Sequence, residues 1–172
     1  MDKVRQKGKI ELQALEILKD FSVIENQPAS ISGKYHINET AKEHIILCAK
    51  VMHHLCDEFN VNDNDRDMLQ ACAYLHDLGI YIITLKQKIN HPTWEQYDSG
   101  YSKSKPLMKL HPIISAEALK DYEIDRKEEI QRIISTHMSH WYQSCPQPEN
   151  LYEYLLCVAD FIASKGNKIF EY

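Results

Sequence analysis

Apolar residues recur along most of this chain at helical rather than alternating spacing. Over residues 9–21, Ile10, Ala14, Ile17, Leu18 and Phe21 share one side of a 3.6-residue helix, and the pattern breaks at Pro28 and Gly33. Thr40 and Glu43 form a capping-box pair, in which each side chain takes up a free backbone N–H of the other. Cys48, Val51, Met52, Leu55 and Phe59 continue as an apolar stripe, so a helix is predicted over about 40–59. The run Asn62-Asp63-Asn64-Asp65 lacks the glycine and the final glutamate of a calcium loop and reads as a helix N-cap. Its helix carries Met68, Leu69, Cys72, Ala73 and Leu75 as far as His76-Asp77 and is expected to end near Gly79. Between 81 and 110 the periodicity disappears among His91-Pro92, Ser99-Gly100 and Lys105-Pro106, which predicts a long loop. Further helices are expected near 113–121, from an Asp125/Glu128 cap to about 140, and from Pro148 in a first turn to about 165. The expected fold class is all-α, with residues 1–172 forming one domain.

Composition narrows this picture. The chain is 44% apolar and 26% charged, with 5 Gly and 6 Pro, which argues against a β-sandwich, a barrel or a disordered chain. A formal charge of -5 makes duplex nucleic acid an unsuitable partner. No apolar run is long enough for a membrane span and the first twenty residues do not resemble a signal sequence, so a cytoplasmic protein is expected. Five cysteines (Cys48, Cys56, Cys72, Cys145, Cys157) without a C-x-x-C pair suggest neither a disulfide framework nor a thiolate zinc site. Nine histidines in 172 residues are the anomaly.

Their placement gives the anomaly meaning. At about 100° per residue, His44 lies roughly 40° from Cys48 and roughly 20° from Val51 and Leu55, whereas His53 falls about 180° away. His44 therefore points inward. His76 follows Leu69 and Cys72 on a buried face with Asp77 beside it, His137 follows Ile130, Ile133 and Ile134, and Asp160 interrupts Leu155-Leu156-Cys157-Val158-Ala159. Any one of these alone reads as a satisfied core residue. A set of imidazoles and carboxylates converging from separate helices is how bundles build metal sites, since a buried carboxylate without an arginine needs another cation.

The order His44, His76-Asp77, His111, His137, Asp160 resembles the H…HD…H…H…D signature of the HD-domain metal-dependent phosphohydrolase superfamily. The resemblance spans roughly 28–167, with the helix within 1–27 packing on that core and the 81–110 loop placed as a lid. Ser32-Gly33-Lys34-Tyr35-His36, Lys109-Leu110-His111-Pro112 and His137-Met138-Ser139-His140-Trp141 are further similar to small stand-alone HD proteins and to the HD domain of certain 3'→5' exoribonucleases. The resemblance implies one metal held by His44, His76, Asp77 and Asp160, and a second held by Asp77, His111 and His137, with His140 the alternate to His137. Asp77 and His111 are the implied catalytic residues. The ions would be transition metals (Mn, Fe, Co, Ni or Zn), because nitrogen-rich ligands suit these better than Mg. They would hold a bridging hydroxide that attacks phosphorus.

The implied activity is hydrolysis of a phosphate ester in a nucleotide, a small phosphodiester or a short single-stranded oligonucleotide. Two alternatives share the ligand order: a one-metal nucleotidase or deoxynucleoside triphosphate triphosphohydrolase, in which His111 contacts phosphate, and a di-iron oxygenase. A non-catalytic sensor has no need of so many buried ionisable groups. Lys34, His36, His140 and Lys165 are the expected substrate-binding residues. Five lysines against two acids over 81–110 add local positive charge, with Trp94, Tyr97 and Tyr101 available for stacking on a base and Trp141 expected to pack under the site. Two departures stand out: Ile80 occupies the position where many HD enzymes carry a lysine, and Ser139 the one usually taken by glycine. A homo-oligomer is compatible with all of this.

Overall fold

The structure, a computed structural model, describes residues 6–29, 39–84 and 105–169. These form α1 (Lys9–Asp20), α2 (Ala41–Glu58), α3 (Asp63–Leu75), α4 (Leu78–Thr84), α5 (Lys105–Ala118), α6 (Lys127–Thr136) and α7 (Leu151–Ile169), with 3-10 turns at Ser22–Ile24 and Leu119–Asp121. No strand occurs among the described residues, as the helical periodicity predicts, and no helix among them is long and apolar enough to cross a membrane.

Helix α3 is the centre of the bundle. Met68, Leu69, Ala71, Cys72, Ala73 and Leu75 are all buried, because α1, α2, α6 and α7 pack around it. Helix α4 lies on α5, α5 on α6, α6 on α7, and α7 closes back onto α2. The predicted caps form: Thr40 Oγ1 accepts from Glu43 N while Thr40 N donates to the Glu43 carboxylate at 2.8 Å, and Asn62 Oδ1 accepts from Asp65 N at 3.1 Å. One cap comes from a distance. The buried carboxylate of Asp67 in α3 accepts from Ile10 N at 2.9 Å and Glu11 N at 2.8 Å, closing the N-terminus of α1.

Several expectations are corrected. The helix through residues 63–75 stops before His76-Asp77, and Gly79 lies inside the following helix α4 rather than at a C-cap. The loop expected over 81–110 is helical at both ends, leaving residues 85–104, with Trp94, Tyr97 and Tyr101, outside the described residues. In α4 Leu78, Ile80, Tyr81 and Ile82 are buried on every side, so no amphipathic period exists to be read. Pro106 starts α5 rather than breaking it, since a first-turn position has no N–H bond to lose.

Helix α6 ends at Thr136, not near 140, and begins after Arg126, whose backbone is left-handed at φ 58°. The Asp125 carboxylate instead accepts from Lys9 and Gln13 of α1. Helix α7 begins at Leu151, so Pro148 lies ahead of the helix rather than in its first turn, and Asn150 is the cap: Asn150 Oδ1 accepts from Glu153 N at 3.2 Å. Buried Glu153 accepts from Arg132 Nε at 3.1 Å and so ties α7 to α6.

Candidate metal centre

The two internal helix ends of the bundle each finish on a histidine. His76 follows α3 and His137 follows α6, both at the C-cap. His76 Nδ1 donates to the Ala73 carbonyl at 2.9 Å, and His137 Nδ1 donates to the Ile134 carbonyl at 2.7 Å, three residues back in each case. These bonds satisfy carbonyls that the helix leaves free and fix the ring orientation. They also place the proton of each neutral ring on Nδ1, so that Nε2 presents a lone pair to the interior. Helix C-termini carry partial negative charge, which adds to the attraction for a cation.

The remaining members arrive from three other helices. His44 is buried beside Ile45, Cys48 and Met52, one turn after the capping box that starts α2. His111 comes from the middle of α5, and Asp160 from α7. Asp77, next to His76, projects its two oxygens in different directions. Its Oδ2 lies 3.4 Å from His44 Nε2 and 3.4 Å from His76 Nε2, while its Oδ1 lies 3.3 Å from His111 Nε2 and 3.6 Å from His137 Nε2. Asp160 Oδ1 closes the first group at 3.3 Å from His44 Nε2 and 3.7 Å from His76 Nε2. The paired imidazoles face each other through Nε2, at 3.3 Å for His44 with His76 and 3.0 Å for His111 with His137.

This donor set calls for cations. With the Nδ1 hydrogens of His76 and His137 committed, both Nε2 atoms are acceptors whenever these rings are neutral, and every oxygen that faces them is an acceptor too. In the metal-free chain a hydrogen on His44 Nε2 and one on His111 Nε2 are what can hold these groups together. Three overlapping sets of ligand atoms lie within 4.8 Å of one another: His44, His76 and Asp77; His76, His137 and Asp160; and Asp77, His111 and His137. Nitrogen and carboxylate donors around small shared volumes fit divalent transition metals.

Electrostatics agree with the geometry. Burial opposes charge on His44, but its contacts with Asp160 and Asp77 outweigh it and push the imidazole up to about 10. Burial likewise works against charge on His76, and the neighbouring Asp77 overcomes it, so that its pKa is raised. Burial would raise both carboxyls, yet the charge of His76 and contacts from His111, His137 and His44 hold Asp77 well below the usual carboxylate range. His44 and His76 do the same for Asp160. Burial dominates at His137 and lowers it.

The structure thus brings together His44, His76, Asp77, His111, His137 and Asp160, all buried. Between the two alternates it places His137 inside, while His140 is exposed, its ring centroid 5.1 Å from that of Trp141 and 6.3 Å from that of Phe161. Trp141 does not pack beneath the site: it is 55% exposed, stacked on Phe161. Lys34 and His36, like the side chain of Lys165, lie outside the described residues. Ile80 is buried in the core, so the position that carries lysine in many HD enzymes has become a packing position. Ser115 was not singled out from sequence, yet it is buried and hydrogen-bonded to the backbone of His111. Its only sequence signal is its place one helical turn after His111.

The HD domain family model matches residues 42–164. No curated protein and no solved structure matches the chain.

Proposed function

Because this chain belongs to the HD-domain family, whose members are metal-dependent hydrolases, we propose that it is a two-metal phosphohydrolase acting on a nucleotide, a small phosphodiester or a short oligonucleotide. The observation that carries the reading is the Asp77 carboxylate, with one oxygen turned to His44 and His76 and the other to His111 and His137. His44, His76, Asp77 and Asp160 would hold one ion; Asp77, His111 and His137 would hold the other. Divalent ions so placed supply Lewis acidity toward phosphoryl oxygens and lower the pKa of water.

The chain's own groups do the rest. Asp77 and Asp160 stay ionised in the core and balance the added positive charge. Hydrogen bonds to Ala73 and Ile134 keep His76 and His137 from rotating or changing tautomer. His140, exposed at the surface yet covered enough for partial desolvation to lower its pKa, is available to a substrate oxygen. With Ile80 in the core, Lys34, His36 and Lys165 are the residues proposed to meet the substrate's phosphate.

The test combines metal analysis with a hydrolysis screen in Mn, Co, Ni and Fe, using bis-aryl phosphate, nucleoside mono- and triphosphates, cyclic nucleotides and short RNA. Two metal equivalents per chain and ester cleavage are expected, both abolished in Asp77→Ala. Full activity in that variant overturns the assignment. One equivalent with triphosphate hydrolysis points to the one-metal reading, and dioxygen consumption without ester cleavage to the oxygenase.

A further inference from the structure

The turn of α5 that carries His111 has a defect in its own hydrogen bonding. Pro112 lies inside the helix and has no N–H for the preceding turn. The next turn, from His111 to Ser115, is tied from the side as well. The buried hydroxyl of Ser115 donates to the His111 carbonyl at 2.8 Å and accepts from Gly79 N at 2.7 Å. Gly79 is the second residue of α4, so its N–H is one of those that a helix start leaves without an internal acceptor. Ser115 therefore caps α4 from a different helix.

The approach of the two backbones is close. A Cβ on Gly79 would run into the His111 carbonyl oxygen and lie 2.9 Å from both Ser115 N and Ser115 Oγ. Gly79 also sits two residues after Asp77, whose carbonyl accepts from Ile80 N at 3.0 Å. One hydroxyl thus joins the segment carrying the bridging carboxylate to the backbone of one histidine of the second group. No comparable link runs from Ser115 to His44, His76 or Asp160, which come from α2, the end of α3 and α7.

We infer that Ser115 is a positioning residue: it fixes the separation of His111 from Asp77 and thereby sets the affinity of the second metal position selectively. This rests on the two-ion reading above. Partners that orient metal ligands commonly contribute about 10–100-fold in affinity. The experiment is titration of the metal-free full-length chain with Mn(II), free ion followed by electron paramagnetic resonance, for wild type, Ser115→Ala and Ser115→Thr. Ser115→Ala is expected to weaken the second equivalent by about 10–100-fold and the first by less than about twofold, with helical circular dichroism unchanged. Ser115→Thr keeps the hydroxyl and is expected to restore the second equivalent. A wild type that takes fewer than two ions overturns the two-ion reading and the inference with it. A wild type that takes two, with Ser115→Ala weakening both equally, neither, or losing the fold, overturns the inference alone.

Discussion

His44 and His76 show how one proton stands in for a metal. His76 commits its Nδ1 hydrogen to Ala73, so the neutral His76 ring accepts at Nε2, and the hydrogen between the two rings then belongs to His44. Contacts with Asp160 and Asp77, working against burial, raise His44 to about 10, so at neutral pH the metal-free centre holds that extra proton. A metal needs the neutral ring, so binding must expel it. Asp77 and Asp160 are held low and contribute no titration near neutrality. Apparent metal affinity should therefore rise by up to about tenfold per pH unit from pH 6.5 to 8.5. Calorimetry at pH 7.5 in buffers of different ionisation enthalpy should report at least about one proton released per chain, from His44, with any further release coming from His76, which is also raised; buffer-independent heats would contradict this. The stability sign is opposite in the metal-free protein. A raised folded-state pKa stabilises fully below the unfolded value near 6.5 and is lost as pH climbs toward about 10, so the chelated protein's midpoint should fall over that window.

Helix α1 depends on a partner far away in sequence. The N–H groups of Ile10 and Glu11 in its first turn donate to Asp67 in α3, and Gly8 lies so close that a Cβ there would run into the Asp67 carboxylate. Asp67→Ala leaves those donors without their acceptor, and Gly8→Ala overfills the contact; each should cost about 1–2 kcal/mol. Urea unfolding of the metal-free chain measures this, and unchanged midpoints would remove Asp67 as the cap. The same contrast between near and far explains how much of the fold the sequence discloses. Thr40 with Glu43 and Asn62 with Asp65 are local pairs, and α1, α2 and the start of α3 could be read from them and from clean apolar stripes. Asp67 with Ile10, Asp125 with Lys9 and Ser115 with Gly79 are legible only once the helices have packed. Helix α4 was hidden for the opposite reason: buried all round, it has no polar face to set a period. Within the candidate centre, residue types and order marked the six residues that converge, but that His137 and not His140 is the one turned inward needed the end of α6 at Thr136, which buries one ring and leaves the other in solvent.

At the scale of the whole molecule, the candidate metal centre is where otherwise separate elements meet. Its residues run from 44 to 160 in the chain and come from α2, the α3–α4 junction, α5, the end of α6 and α7. In the metal-free state the meeting point is a core of facing acceptors held by a few hydrogens, with two ionised carboxylates among them. Ions bound there would cross-link five segments that contact one another elsewhere mainly through apolar packing. Because the unfolded chain offers no preformed site, the free energy of binding appears as stability, about 2.7 kcal/mol when free metal is a hundred times the dissociation constant. For a chain of this size, that corresponds to a rise in unfolding midpoint of about 5–11 °C. Mn(II), Co(II) or Ni(II) added to chelator-treated protein should produce it, and Mg(II) at the same concentration should produce less, since it favours oxygen ligands and keeps its waters. Asp77→Asn should remove most of the rise by losing the carboxylate that both histidine pairs face, while His53→Ala, on the opposite side of α2, should leave it intact. Thermal scans of these three proteins separate a metal that organises the bundle from one that binds to surface histidines: equal rises in wild type and Asp77→Asn would assign the stabilisation to the surface.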